Sequence, residues 1–439
     1  MTALTPQDTA DYIAKSAQTA WVVQGLPTDL ALRPIKTVGV IGAGTMGGGI
    51  AMNFATAGLH VKIVETTKEA LDRGLSVVRG HYQRSSNKGR FPQAEVEARM
   101  GRFEGCLAIA DLASCDLIIE AVFEDMDLKR TIFTELDRIA KPGAILATNT
   151  SALDIDTIAA MTTRPQDVIG LHFFSPANVM KLLEIVRADH TSDDIVATCM
   201  SLAKDINKTA VLVGVCPGFT GNRILHKRQA QALKLVHKGV MPWDVDAALK
   251  SFGFRMGPFQ MADLAGLDLG WSKGATTKNS IRDALCELDR RGQKTKAGYY
   301  DYDDTRTAVP SQVSAEVIKR VTGAEPISIA PQTIIETCIY PMINEGFKIL
   351  EEGIANHPND IDIIYVYGYG WPAWRGGPVW WADQEVGLKE IVEKVEEYNK
   401  RYPGSEYWKP SELLKKVAKS GVSIYDYYDM QEKEGVSKL

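Results

Sequence analysis

The chain has 439 residues, 45% hydrophobic and 24% charged, with a formal net charge of −5, the balance of a globular protein with two or three cores. No run approaches the roughly 18 apolar residues that span a bilayer, and the mild negative charge excludes a general pull towards nucleic acid or anionic membrane. The six cysteines are scattered without a C-x-x-C pair or metal-ligand spacing, so reduced thiols and no metal site are expected.

Residues 1–35 carry Asp8, Asp11 and Asp29 and no apolar run, unlike a secretory signal or a transit peptide. They read as a short helix and a linker marked by Pro27 and Pro34. Residues 36–65 then form one βαβ unit: a β-branched strand from Lys36 to Ile41, the turn Gly42-Ala43-Gly44-Thr45-Met46-Gly47, a small-residue helix stopped at Gly58, and a strand from His60 to Val64 ending on Glu65. In this pattern Gly42 permits the tight turn, Gly44 lets a pyrophosphate approach the backbone, and Gly47 lets helix and strand pack closely. The helix N-terminus offers N–H groups and positive dipole to phosphates. Glu65, about 20 residues beyond the glycine turn, is placed to take both ribose hydroxyls and to repel a 2′-phosphate, which favours NAD over NADP.

Leu117 to Val122 and Ala144 to Asn149 read as buried strands, each followed by a polar turn, with a helix over Asp127 to Ile139 between them. The expected fold is a doubly wound, Rossmann-type α/β sheet over 36–216, with ligands at the C-terminal ends of its strands. Glu124, Lys129, Asn149 and Ser151 lie just past such ends.

Two further apolar runs, Val168 to Phe174 and Met180 to Val186, flank Ser175-Pro176-Ala177-Asn178. Paired as a hairpin, they put His172 and Glu184 equally far from Asn178 and therefore opposite each other. A carboxylate opposite an imidazole fixes its tautomer and readies it to accept a proton. Spacing alone fits a hydrogen-bonded core histidine equally well; the neighbouring dinucleotide site favours a general base.

After Cys216-Pro217-Gly218 the pattern turns helical, with a long helix from Phe219 to about His237 that carries Asn222 near its start. Gly257-Pro258-Phe259-Gln260-Met261-Ala262-Asp263 recurs as Gly377-Pro378-Val379-Trp380-Trp381-Ala382-Asp383. Each copy follows an aromatic-glycine stretch (Phe252-Gly253-Phe254; Tyr367-Gly368-Tyr369) and, further back, an aspartate (Asp246; Asp362). Two related helical domains are expected, at 217–305 and 330–430, joined by a polar linker at 306–329 and followed by a tail at 431–439. Trp371, Trp374, Trp380 and Trp381 are expected in the core between the copies. The tail ends Ser437-Lys438-Leu439, the tripeptide read as a peroxisomal address by an import receptor.

Together these motifs resemble the 3-hydroxyacyl-CoA dehydrogenase family, most closely the dehydrogenase half of peroxisomal multifunctional β-oxidation enzymes, over roughly residues 36–430. The resemblance rests on the glycine turn, Glu120-Ala121-Val122-x-Glu124, Asn149-Thr150-Ser151, His172-Phe173-Phe174 with Glu184, Pro217-Gly218-Phe219 with Asn222, and Gly257-Pro258-Phe259, in order and spacing. It implies NAD-dependent oxidation of a 3-hydroxyacyl-CoA to the 3-ketoacyl-CoA, with His172 as base and Glu184 its partner. Ser151 and Asn222 would hold the 3-hydroxyl and the thioester carbonyl, and Glu65, Glu124, Lys129 and Ser151 would line the NAD site. Ser175 stands where many relatives carry Asn at a cofactor contact. The 35-residue lead is too short for a hydratase domain, so no hydratase activity is expected. In simpler relatives the single helical domain mediates dimerisation; two copies imply a monomer with an internal pseudo-dimer, the alternative being a homodimer.

The basic stretch Arg79, His81, Arg84, Lys88 and Arg90 suits the phosphates of CoA, although a solvated charged face has the same composition. Two other functions compete. An NAD-linked dehydrogenase of a free 3-hydroxy acid usually relies on a lysine of the interdomain helix, where this chain has Asn222. A non-catalytic NAD- or acyl-CoA-binding protein predicts a degraded site, yet Ser151, His172, Glu184 and Asn222 are all present.

Overall fold

The computed structural model describes residues 5–433 apart from positions 24, 28 and 275–279; the terminal Ser437-Lys438-Leu439 lies outside the described residues. One eight-stranded sheet organises the first half: β1 (Thr37–Ile41), β2 (His60–Val64), β3 (Phe103–Cys106), β4 (Leu117–Glu120), β5 (Ile145–Thr148), β6 (Val168–Phe173), β7 (Leu182–Arg187) and β8 (Thr209–Gly214), in the order β3-β2-β1-β4-β5-β6-β7-β8. Strands β1 to β6 run parallel, β7 turns back against β6, and β8 runs with β7.

The central strands are apolar on both sides because both faces are covered. Leu117 and Ile119 of β4 point to the face that packs Ile50 and Phe54, while Ile118 points to the face that packs Ile132, Phe133 and Leu136, the alternation a strand imposes. The helices of this half are α1 (Pro6–Thr19), α2 (Thr45–Thr56), α3 (Lys68–Asn87), α4 (Gln93–Met100), α5 (Met126–Ile139), α6 (Ile155–Ala159) and α7 (Asp193–Asp205). Strand order reverses between β2-β1 and β1-β4, so the crevice for a ligand opens above the C-terminal ends of β1 and β4.

The second half is helical: α8 (Phe219–His237), α9 (Pro242–Phe252), α10 (Pro258–Ala265), α11 (Ile281–Glu287), α12 (Gln312–Thr322), α13 (Pro331–Glu351), α14 (Pro358–Gly368), α15 (Pro378–Trp381), α16 (Leu388–Arg401), α17 (Glu412–Ser420) and α18 (Ile424–Lys433). No helix among the described residues is long and apolar enough to cross a membrane. The repeated Gly-Pro motif has a shared physical cause. Asp246 on α9 accepts hydrogen bonds from the Phe259 and Gln260 N–H groups at the start of α10; Asp362 on α14 accepts from those of Val379 and Trp380 at the start of α15. A Cβ on Gly257 would lie 2.2 Å from Asp246 Oδ1, and one on Gly377 2.3 Å from Asp362 Oδ1, so each cap requires glycine. Helices α8 and α13, which lead the two copies, pack against each other.

Two features differ from expectation. The 306–329 stretch is not bare linker: Ala308–Pro310 pairs with Tyr300–Tyr302 as a hairpin, and α12 buries Val317 and Ile318. Trp371 and Trp381 are core residues, but Trp374 is 55% exposed and Trp380 stacks on Tyr12 of α1 at 3.7 Å between ring centroids. The N-terminal helix α1 packs against α14. Tyr12 donates its hydroxyl to Asp362 at 2.6 Å, beside Tyr425, which donates to the same oxygen at 2.6 Å, as Tyr300 does to Asp246 in the first copy.

Candidate active site

The glycine turn sits where β1 meets α2. Gly42 has φ +100°, a conformation that favours glycine, and a Cβ there would crowd the Ala121 carbonyl oxygen at 2.8 Å. A Cβ on Gly47 would meet Gly42 O at 1.9 Å, whereas one on Gly44 would meet nothing within 4 Å. Space is therefore open above the start of α2, which begins at Thr45 and Met46 without a side-chain cap, an arrangement that suits a phosphate. Glu65 closes the turn from the end of β2, accepting the N–H of Ala43 at 3.0 Å and of Thr66 at 2.9 Å. A cavity of 530 Å³ borders Gly44, Thr45 and Glu65. Open backbone, an uncapped helix start and a carboxylate beyond the turn together fit a dinucleotide.

At the end of β4 the structure joins Glu120 to Lys129 and Thr148, a pairing the sequence pattern did not indicate. Glu120 is fully buried and accepts from Lys129 Nζ at 2.6 Å, Thr148 Oγ1 at 2.8 Å and the Val122 N–H at 2.7 Å. Lys129 is buried with it, so its amine is committed to Glu120 and lies 3.9 Å from Glu124. A glutamate inside the apolar run Leu117 to Val122 was the available signal, because a buried carboxylate needs a partner. Glu124 is more open and accepts both the N–H (2.6 Å) and the hydroxyl (2.9 Å) of Ser151. Asn149 Oδ1 accepts the Phe173 N–H at 2.9 Å, tying the end of β5 to β6 beside His172.

The β6–β7 register pairs His172 with Glu184 directly, so the side chains share one sheet face. His172 Nδ1 lies 2.7 Å from Glu184 Oε2. Both are buried, at 5% and 0% exposure, which shields their attraction from solvent. Glu184 spends its other oxygen on the Gly221 N–H at 2.9 Å, so α8 helps aim it. Phe174 and Phe219 pack against the imidazole at 4.4 and 5.6 Å. Asn222, on the first turn of α8, donates from Nδ2 to Ser151 O at 3.3 Å. His172, Glu184, Ser151 and Asn222 thus form one connected group reached by β5, β6, β7 and α8. Ser175 is exposed in the loop that follows.

Arg84 and Lys88 line a second cavity of 490 Å³ together with Arg90, Lys181 and Lys208. It adjoins the dinucleotide cavity, sharing Met52, His81 and Asn178 with it. Arg79 and Arg99 are paired with Glu97 and Glu95, whereas Arg84, Lys88 and Arg90 pair with no carboxylate among the described residues. Lys208 is buried; it donates to the carbonyl oxygens of Ala177 (2.6 Å) and Met180 (2.7 Å), and burial pushes its amine down to about 8. No local pattern in the sequence marked Lys208.

Sheet, glycine turn and crevice define a dinucleotide-binding dehydrogenase fold. Residues 37–216 match the model of the 3-hydroxyacyl-CoA dehydrogenase NAD-binding domain, and residues 218–302 and 334–424 each match that of the C-terminal domain of the same family. The chain belongs to the 3-hydroxyacyl-CoA dehydrogenase family. It is 44% identical over 419 residues to the peroxisomal bifunctional enzyme of Cavia porcellus and 42% identical over 417 residues to that of Homo sapiens, covering 89% of this chain in each case. The chain spans 57% of the length of those relatives. Among solved structures it is similar to the dehydrogenase part of multifunctional enzyme 1 from C. elegans, with 30% identity, a TM-score of 0.64 and coverage of 93% of this chain and 99% of that one. It is also similar to 3-hydroxybutyryl-CoA dehydrogenase from Escherichia coli, with 26% identity, a TM-score of 0.75 and coverage of 90% and 100%.

Proposed function

We propose that the chain oxidises (S)-3-hydroxyacyl-CoA to 3-ketoacyl-CoA with NAD, as a step of fatty-acid β-oxidation in the peroxisome. The observation that carries this reading is the buried His172–Glu184 pair at 2.7 Å, linked through α8 to Asn222 and Ser151. Gly42, Gly44, Gly47 and Glu65 would hold the dinucleotide, with Asn149, Ser151 and Glu124 towards its nicotinamide end. Bound there, NAD supplies the acceptor for the hydride that leaves C3.

His172 takes the hydroxyl proton on Nε2, since Nδ1 is engaged by Glu184. Glu184 stabilises the imidazolium that results and keeps the ring from turning. Ser151, itself held by Glu124, steadies the 3-hydroxyl, and the Asn222 amide faces the thioester carbonyl. Phe174 and Phe219 keep water from the imidazole. Arg84 and Lys88, free of carboxylate partners, meet the phosphates of CoA in the adjoining cavity. The peroxisomal assignment is supported by the names of the bifunctional relatives. Packing of α8 on α13 supports a monomer with an internal pseudo-dimer; a sedimentation mass near twice 48.2 kDa overturns that part.

The test compares acetoacetyl-CoA with free acetoacetate, following NADH absorbance. Turnover of the thioester alone is expected. Equal use of the free acid favours the hydroxy-acid enzyme, and turnover of neither favours a binding protein.

A further inference from the structure

The second helical copy reaches the site through two tyrosines that follow one another on one face of α14 and the residue after it. Tyr369 donates its hydroxyl to Asn222 Oδ1 at 2.8 Å. Tyr365, stacked on it at 4.9 Å between centroids, donates to Gly221 O at 3.0 Å, and the Gly221 N–H in turn serves Glu184. The Tyr369 ring also meets Phe174 edge-on at 5.4 Å, and Phe174 packs on His172. This approach is possible because residue 221 is glycine: a Cβ there would lie 2.3 Å from the Tyr369 ring. In helix register the first copy has Gly253 just past α9 where the second has Tyr369 just past α14, so only the second copy presents a side chain there.

An asparagine amide has two orientations half a turn apart, which exchange its donor for its acceptor. Ser151 O can only accept, so Nδ2 must face it, and Oδ1 then needs a donor on its other side. We propose that Tyr369 is a positioning residue of the dehydrogenase site, supplied by the second helical copy, which locks the Asn222 amide with Nδ2 towards Ser151 and the substrate carbonyl. The proposal rests on the role given to Asn222 above. Burial holds the Tyr369 proton on well above the ordinary tyrosine range, so the group donates at any assay pH. It follows that the second copy does more than cover the first: without it, Oδ1 loses its hydrogen-bond donor.

The test substitutes Tyr369→Phe, which removes only the hydroxyl, in the full chain. Loss of one hydrogen bond that orients a substrate contact is expected to lower kcat/KM for acetoacetyl-CoA about tenfold, with KM for NADH unchanged. Calorimetry of acetoacetyl-CoA binding without nucleotide should show the same direction as a weaker Kd. In an Asn222→Ala background the Tyr369→Phe change should have no further effect, because the amide it positions is gone. Wild-type kcat/KM in Tyr369→Phe, or an equal loss with and without Asn222, overturns the inference. A wild-type chain with no acetoacetyl-CoA turnover overturns the functional reading and this inference with it.

Discussion

Glu184→Gln removes one charge and little volume, which makes it a sharp probe of the pair. The glutamate accepts from both sides, with Oε2 2.7 Å from His172 Nδ1 and Oε1 2.9 Å from the Gly221 N–H. A glutamine can accept on only one side. If its oxygen stays on the imidazole, its NH2 group faces another N–H; if it turns, the NH2 donates to Nδ1 and forces the ring proton onto Nε2, where no substrate proton can then be taken. The charge matters as well. With carboxylate and imidazolium centres about 4 Å apart and an effective dielectric near 20, the attraction is about 4 kcal/mol, equivalent to roughly a thousandfold in rate. We therefore expect kcat for acetoacetyl-CoA reduction to fall by about two to four powers of ten, while NADH binding by fluorescence titration stays within about twofold. A Glu184→Gln protein that folds with a wild-type melting profile and keeps more than about a tenth of wild-type turnover would refute the reasoning.

Glu65 should exclude a 2′-phosphate by like charge, so NADH should exceed NADPH in kcat/KM by about a hundredfold and Glu65→Gln should narrow the gap about tenfold; equal use of both by the wild type contradicts this. Reversing Arg84 and Lys88 together to Glu should raise KM for acetoacetyl-CoA about tenfold, less at high salt, with kcat and KM for NADH unchanged; an unaltered KM moves the CoA site elsewhere. Burial pushes Asp362 up to about 7, against about 3.9 in an unfolded chain. A carboxyl raised on folding stabilises the fold fully below about 4 and loses that contribution as pH rises through about 7. The melting temperature of the wild type should therefore drop more between about pH 5.5 and 8 than that of Asp362→Asn; parallel profiles would show that Asp362 does not titrate there.

Sequence periodicity carried much of this architecture, for definable reasons. Strands buried on both faces appear as unbroken runs such as Leu117 to Val122, and a hairpin centred on Asn178 admits little choice of partner for His172, so the observed register is the one arithmetic gives. The doubled Gly-Pro motif was visible as a repeat, but not as two glycines making room for Asp246 and Asp362, because the distance between an aspartate and the helix it caps is set by the fold. Lys129 read as a cofactor contact from its place after a strand; its commitment to Glu120 depends on which way a helical side chain turns. Trp374 and Trp380 show the same limit, since composition does not say which aromatic of a cluster faces inward. Tyr365 and Tyr369 were beyond any local rule: they meet Gly221 and Asn222 through the packing of one copy against the other, contacts with no spacing signature.

The proposed chemistry rests on His172 as the group that takes the hydroxyl proton in oxidation and returns it in reduction beside the nicotinamide. The direct measurement is His172→Ala assayed on acetoacetyl-CoA at saturating NADH, with the NADH dissociation constant measured on the same protein. We expect turnover to fall by about two to four powers of ten, with nucleotide affinity nearly unchanged; turnover close to wild type would contradict the central claim.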